Sequence, residues 1–306
     1  MPPVRVGTCS FADEALLKAW YPKDVKTPAA RLAYYAEHFD TCEIDSTYYR
    51  MPEAGQVRQW AERVPDGFVF HVKAFAPMTR HPVRHEVLPP ELRELVAPDE
   101  KGKVDRMPRE VRGEVFRVFR EAVEPMRAAG KLGGILLQLA PYVVYREHSL
   151  EYLEWAKEQL PGHDLLVEFR HRSWLDDEHR AETLAFLEER DLSLVVVDAP
   201  RTEAKNVLPT VVAVTGPTAY VRFHGRNAKT WNKRGGSAAD RFDYLYEREE
   251  MAEWVEPMRE LAAQAETVYA LMNTNAHHDG VAQGPENGYR LTEALQNAGV
   301  AARGSR

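Results

Sequence analysis

The chain has 306 residues, 44% of them hydrophobic, and a formal charge of −7. That is enough apolar matter to bury a full core, and large α/β barrels reach this length as one domain. The acidic balance speaks against non-specific coating of nucleic acid, which rests on neutralising many phosphates, and leaves room for a local basic pocket.

Residues 4–8 read as a first short strand, followed by a loop that carries Trp20-Tyr21-Pro22. Pro28 opens a helix over 28–39, with Leu32, Tyr35, Ala36 and Phe39 at helical spacing. A second strand (41–45) runs into Ser46-Thr47-Tyr48-Tyr49, and a helix over 53–63 leads to a third strand (68–73). Segment 74–109 breaks the rhythm: it is rich in Pro, Arg and Glu and longer than ordinary connections. It reads either as an excursion over one face, a lid with some helix near 90–95, or as a disordered insertion without a role. A helix over 110–129, with Gly130 as its C-cap, precedes strand four (134–139). A helix (149–159) leads to strand five (164–167), which ends in Glu168-Phe169-Arg170-His171-Arg172-Ser173-Trp174. Next come a helix (177–190), strand six (194–198), strand seven (219–224) and a long basic loop (225–242). A helix (247–265), strand eight (267–273) and a last helix (285–297) complete the series, and 301–306 read as a frayed tail.

Eight strands alternating with helices, without a linker or composition break, predict one α/β domain over 1–300. The predicted fold is a closed (β/α)8 TIM-like barrel, with irregular or incomplete strands allowed for. An open doubly wound sheet is the alternative. Against it, no Gly-x-Gly-x-x-Gly follows the first strand, and no Gly-x-x-x-x-Gly-Lys-Ser/Thr occurs. Two cysteines, Cys9 and Cys42, form no disulfide framework and suit a reducing compartment. The start Met1-Pro2-Pro3-Val4-Arg5 is not a cationic-then-apolar leader, and no apolar run nears the roughly 20 residues of a membrane span. A cytoplasmic location without membrane contact is expected, and the oligomeric state is left open.

Side chains two apart along a strand share a face. Glu43 and Asp45 oppose Cys42 and Ile44, and His71 and Lys73 oppose Phe70 and Val72. Gln138 opposes Leu137 and Leu139, while Glu168 and Arg170 oppose Val167 and Phe169. Tyr220, Arg222 and His224 oppose Val221 and Phe223; Asn273 and Asn275 continue the series, and Asp198 ends strand six. The apolar sets belong against helices, so the polar sets are expected inside, at the C-terminal strand ends where such barrels build their sites. Burying a charge without a partner is costly, so these residues pair, bind water or meet a ligand.

Glu43 or Glu168 is then expected as general acid/base, or both as a glycosidase pair, with His224 assisting. The alternative is that Arg170, Arg222 or Lys73 neutralise them in a structural ion network. Lys73, Arg170 and Arg222 are expected to bind phosphate or carboxylate, since guanidinium offers a bidentate fork. Asp45, Tyr48, Gln138, Trp174, Asp198, Arg226, Asn227, Trp231 and Asn273 complete the candidate binding set. Lys229, Lys233 and Arg234 of the basic loop are further phosphate candidates. Tyr48, Tyr49, Trp174, Trp231, Tyr244 and Tyr246 are loop aromatics that either stack on a base or sugar or roof the barrel. A metal set drawn from Glu43, Asp45, His71, Glu168, Asp198 and His224 is disfavoured by the interleaved Arg and Lys, and no cofactor is implied. The expected function is hydrolysis of a phosphoester or glycoside on a small anionic substrate, with lyase or isomerase chemistry as further options. A non-catalytic binder of a nucleotide or nucleic-acid fragment is the alternative, nucleic acid being the less favoured partner.

The same pieces carry a resemblance. They are Gly7-Thr8-Cys9-Ser10, Glu43-Ile44-Asp45-Ser46-Thr47-Tyr48-Tyr49, Phe68-Val69-Phe70-His71-Val72-Lys73 and Leu136-Leu137-Gln138-Leu139. Glu168 to Trp174, Arg222-Phe223-His224-Gly225-Arg226-Asn227 and Asp243-Tyr244-Leu245-Tyr246 complete them. In this order, across almost the whole chain, they resemble the YecE-like family, a TIM-barrel domain of unknown function. Asp45 stands where the family has Asn, and Asn273-Thr274-Asn275 with Glu286-Asn287-Gly288 is a loose match to its Asn-rich final motif. The resemblance implies a barrel with a polar pocket at its mouth, and no particular reaction.

Overall fold

The computed structural model describes residues 1–232 and 238–304. Eight parallel strands form its centre: β1 (Val4–Thr8), β2 (Thr41–Ile44), β3 (Val69–Lys73), β4 (Leu132–Gln138), β5 (Leu165–Glu168), β6 (Ser193–Asp198), β7 (Thr218–Phe223) and β8 (Thr267–Met272). Chain neighbours are sheet neighbours, and β8 returns to β1 in register from Val4↔Val268 to Thr8↔Met272. With helices between the strands, this is the closed (β/α)8 barrel that the alternation predicts.

The alternate residues of each strand meet two environments. Val72, Ile135, Leu137 and Val167 point outward and pack with Phe116, Phe119, Val123 and Leu153 of the helices. Leu136, Leu166, Val195, Tyr220, Tyr269 and Leu271 point inward and form a separate apolar plug across the barrel. His71 packs against Tyr220 and Tyr269 of that plug, and the other inward polar residues of the strand ends stand above it, toward the C-terminal mouth. Burial of apolar surface on both faces is what closes the sheet.

The seam between β1 and β2 is open at its foot. The two strands pair only at Thr8↔Cys42, and the first residues of β1 pair instead with β9 (Ala302–Arg303), as Val4↔Ala302 and Arg5↔Arg303. Residues 301–304, expected as part of a frayed tail, are therefore a piece of the sheet; 305 and 306 lie outside the described residues. The Val4 amide donates to the Ala301 carbonyl at 2.8 Å, which satisfies a buried donor that β2 does not reach. Gly7 stands where the seam closes: a Cβ there would lie 2.3 Å from the Thr41 carbonyl oxygen.

Three local departures have physical causes. The loop after β1 contains a helix, Glu14–Ala19, started by Asp13, whose carboxylate accepts the Leu16 amide at 2.9 Å. The single helix expected over 247–265 is two, Arg248–Ala252 and Val255–Gln264. Pro257 lacks an N–H and its ring excludes the carbonyl four residues back, so the helix must restart just before it. Segment 74–109 is ordered. It contains a short hairpin (Val83–Arg84 with Lys103–Val104) and the helix Pro90–Arg93, and buries Phe75, Met78, Leu88, Leu92, Val104 and Met107 in the outer core. Among the described residues no helix is long and apolar enough to cross a membrane.

Candidate active site at the barrel mouth

Arg222 of β7 stands at the centre of the barrel top, 1% exposed. Its Nη2 donates to Glu43 Oε1 at 2.8 Å and its Nη1 to Glu168 Oε2 at 2.5 Å. Gln138 Oε1 (3.3 Å) and Asn273 Oδ1 (3.4 Å) lie at the edge of the same guanidinium. Tyr220 donates its hydroxyl to Glu43 Oε2 at 2.9 Å. The second oxygen of Glu168 accepts from Arg170 Nη1 at 2.8 Å and lies 3.1 Å from His224 Nε2. Asn273 Nδ2 is 2.8 Å from His224 Nδ1. Donor and acceptor roles agree only if the neutral His224 carries its proton on Nε2 and gives it to Glu168.

Electrostatics follow from this geometry. Burial raises the Glu168 carboxyl, but the charge of Arg222, with His224 and Arg170, outweighs it and holds the group well below the usual carboxylate range. Burial holds His224 down at about 4 despite the neighbouring Glu168. Glu43 and Glu168 have no exposure at all, and each carboxylate oxygen already has a donor. This is a floor, rigid and internally neutralised.

Above the floor is a cavity of about 330 Å³. Asp45, Tyr48, Tyr49, Lys73, His81, Gln138, Arg170, Asn206, Arg241, Phe242, Asn273 and Asn275 line it, together with Pro141. Glu43, Glu168, Arg222 and His224 do not, so the side chains expected as acid and base are separated from the cavity by their own ion network. The titratable wall consists of other groups. Asp45 follows directly on β2; burial, tempered by Lys73 and increased by Glu43, pushes its carboxyl up to about 6. Lys73 ends β3 with its Nζ 4.5 Å from the Tyr48 ring centroid. Burial and then Arg222 push the Lys73 ammonium below the ordinary lysine range. His81, held at about 4 by burial and then Lys73, bonds through Nδ1 to Thr79 Oγ1 at 2.9 Å. The Asn275 Oδ1 atom is buried without a partner among the described residues.

The remaining candidates are elsewhere. Asp198, expected inside, faces the helices, because β6 pairs Val197 with the inward Arg222 and Asp198 with the outward Phe223. There it accepts from Arg226 (2.7 Å), the Tyr246 hydroxyl (2.6 Å) and Trp254 Nε1 (3.0 Å). Arg226 is thereby withdrawn from the mouth as well. Trp174 is fully buried on the outer side, stacked on Phe169 at 4.2 Å with its Nε1 on the Val143 carbonyl, so it cannot touch a ligand in the cavity. Asn227 ties its own loop to the Asp243 carbonyl at 3.2 Å. Trp231 is 2% exposed and supports Arg170, whose Cζ lies 5.6 Å from its ring centroid. His71 lies one step below Lys73 on β3, against Tyr220 and Tyr269, with neither nitrogen hydrogen-bonded among the described residues. Lys229 is exposed, and Lys233 and Arg234 lie outside the described residues.

His81, Pro141, Asn206 and Phe242 reach the cavity from loops and Arg241 from a short helix (Ala238–Arg241), where no strand alternation announces them. Wider recesses include one of about 430 Å³ beside Asp198 and Arg226 and one of about 540 Å³ that meets the mouth cavity at Tyr49. The first pairs its own charges, Arg172 with Glu203 and Arg201 with Glu253, and the second mixes Pro52, Leu88, Pro89 and Pro90 with charged residues of both signs, Arg50, Glu53, Glu86, Glu91 and Arg93. Among the described residues no three His, Cys, Asp or Glu side chains converge as a metal ion requires.

A closed parallel barrel with a ring of polar strand ends at its C-terminal mouth defines the class: a TIM-barrel protein. The chain belongs to the family described as protein of unknown function DUF72, whose model matches residues 5–304. It is 29% identical over 269 residues to the UPF0759 protein YunF of Bacillus subtilis (strain 168), covering 87% of this chain and 86% of that protein. A DUF72 family structure from Thermotoga maritima MSB8 matches at 29% identity and a TM-score of 0.74, covering 96% of this chain and 99% of that one. One from Enterococcus faecalis V583 shares the fold at 24% identity with a TM-score of 0.77, covering 96% and 95%.

Proposed function

We propose that this protein is an enzyme acting on a small anionic substrate bound in the mouth cavity. The observation that carries the reading is the lining: three basic side chains, Lys73, Arg170 and Arg241, converge on about 330 Å³ with Asp45 as the acidic group among them. The guanidiniums suit a phosphate or carboxylate, and a carboxyl held near 6 can give and take a proton at neutral pH. Asp45 therefore takes the acid/base role, and Glu43, Glu168 and His224 keep Arg222, Arg170 and Asn273 in position.

Glycoside cleavage by a carboxylate pair draws no support from this geometry, because both glutamates clamp one guanidinium. Proton transfer beside the anionic group, the chemistry of lyases and isomerases, uses the groups that line the cavity. Inorganic phosphate should raise the melting temperature, and Arg170→Met or Arg241→Met should weaken its binding about tenfold, the loss of roughly one charge-assisted hydrogen bond. Asp45→Asn should bind phosphate yet fail to turn over any substrate found in a panel of small phosphorylated and carboxylated compounds. Phosphate affinity unchanged in both arginine variants would sink the reading. Tyr49, 61% exposed at the rim, favours a second reading, a nucleotide binder without turnover. Nucleotides that bind wild type, lose affinity in Tyr49→Ala and are never converted would select it.

A further inference from the structure

Among the described residues that line the mouth cavity, Lys73 is the one amine. Anion binding alone does not call for it, since Arg170 and Arg241 share the wall and a planar guanidinium fits phosphate or carboxylate better. The surroundings of Lys73 set it apart. The residue is 9% exposed, its Nζ faces the Tyr48 ring, and among the described residues no carboxylate oxygen lies within 4.0 Å of that nitrogen. Asp45 lines the same cavity and acts on Lys73 through space rather than by contact. A desolvated lysine next to guanidiniums, with no carboxylate in contact, gives up its proton more readily and becomes a better nucleophile.

We propose that Lys73 Nζ forms an imine with a small substrate that carries a carbonyl group and a carboxylate or phosphate. The inference rests on the anion-binding reading above and names the substrate class for that site. The anionic group docks on Arg170 and Arg241 and sets the carbonyl carbon beside Nζ. Neutral Nζ attacks that carbon, the carbonyl π electrons move to oxygen, and a proton passes from nitrogen to that oxygen to give a carbinolamine. Protonated Asp45 then gives its proton to the hydroxyl. The C–O bond breaks, water leaves, and the nitrogen lone pair forms the iminium. Asp45 is now a carboxylate beside an electron sink, and it removes a proton from the neighbouring carbon to leave an enamine and regenerate its own acid form. Burial and Arg222 lower the Lys73 ammonium against the opposing pull of Glu43, Glu168 and Asp45, and burial raises Asp45, which are the directions this sequence of steps needs.

The test is reductive trapping. Wild-type protein is incubated with pyruvate or with dihydroxyacetone phosphate, treated with sodium borohydride, and digested for peptide mass spectrometry. Hydride reduces the C=N bond to a secondary amine that survives digestion. The peptide containing Lys73 should carry the adduct with one of the two probes, which also tells a carboxylate site from a phosphate site. It should hold several-fold more label than peptides bearing exposed Lys18 or Lys101, because a lowered pKa raises the neutral, reactive fraction of the amine. Lys73→Arg should lose the label while inorganic phosphate still shifts its melting temperature, which shows that the variant is folded. Asp45→Asn should label several-fold more slowly while binding phosphate at least as tightly as wild type. No label on Lys73 with either probe, while phosphate still stabilises wild type, overturns the imine and leaves the anion-binding reading standing. Label spread evenly over surface lysines overturns it too. Phosphate without any effect on wild type removes both.

Discussion

Arg222 joins two buried carboxylates, Glu43, whose one ion-pair partner among the described residues it is, and Glu168, which Arg170 also holds; its loss exposes what the floor is for. Arg222→Met leaves Glu43 buried with its charge uncompensated and Glu168 with Arg170 alone, and should lower stability by about 3–5 kcal/mol in urea unfolding. Adding Glu43→Gln and Glu168→Gln to that variant should recover part of the loss; a single variant that costs under ~1 kcal/mol would refute the arrangement. Asp45 makes a second prediction at this scale. Its carboxyl, near 6, is charged at pH 7.5 and repels an anion in the cavity, and it is neutral at pH 5. Sulfate, which keeps its own charge over this range, should therefore bind more tightly as pH falls through 6. Asp45→Asn should flatten the profile by calorimetry, while His81, near 4, stays neutral throughout the window. Alternation in the sequence was enough to turn Glu43, Lys73, Gln138, Glu168 and Arg222 inward. It could not separate floor from wall, because depth depends on strand stagger: Glu43 pairs with His71, so Lys73 rises one step above it. Asp198 misled for the same reason, since the register Asp198↔Phe223 sends it outward.

The elements show where short-range signals end. All eight barrel strands could be read as apolar runs or alternations, yet β9 has two residues, too few for any period. Its contribution can be measured. Removal of residues 301–304 should cost about 1–2 kcal/mol, the value of one or two backbone hydrogen bonds, with loss of the Arg303–Asp40 pair adding little. Gly7→Ala tests the same seam from inside. Backbone, not a flexible side chain, meets the added methyl at 2.3 Å, so a shift of β1 against β2 is forced, costing about 1–3 kcal/mol in thermal or urea unfolding. A fully stable Gly7→Ala protein would mean that the seam is looser than described. Segment 74–109 could not be resolved from its composition because its prolines and charges hide spaced apolar anchors, Met78, Leu88, Leu92, Val104 and Met107, that dock it on the outer core.

For the molecule as a whole, acid stability is a balance of opposing groups. An unfolded histidine titrates near 6.5, whereas His71 in the barrel is held at about 3 by burial and Arg5, and His224 at about 4. Below pH 6.5 the unfolded chain takes up protons that the folded one refuses, so stability from these residues is fully present above 6.5 and drains away toward 3. Asp13 and Asp45, raised by burial to about 7 and 6, act the other way, since the folded state binds their protons first as pH drops below 7. Wild-type stability should thus change little between pH 7 and 4.5 from these four groups. Replacing one removes the balance. His71→Leu should gain on wild type by roughly 2–3 kcal/mol over that interval, two pH units of linkage, in parallel denaturant titrations. Equal slopes for the two proteins would show that His71 is solvated in the native barrel.

The foot of β1 has a consequence for the order in which the barrel is assembled. Its ladder partners are residues 268–272 and 302–303, with one pairing to β2. During synthesis, β1 leaves the ribosome first and waits, nearly unpaired, while every other stave is made. Closing so large a loop is entropically late work, so β3 to β6 can stack before it. In pulse-labelled hydrogen exchange during refolding, the amides of β1 should gain protection last, together with those of β8 and β9. The first strand of the chain completes the barrel.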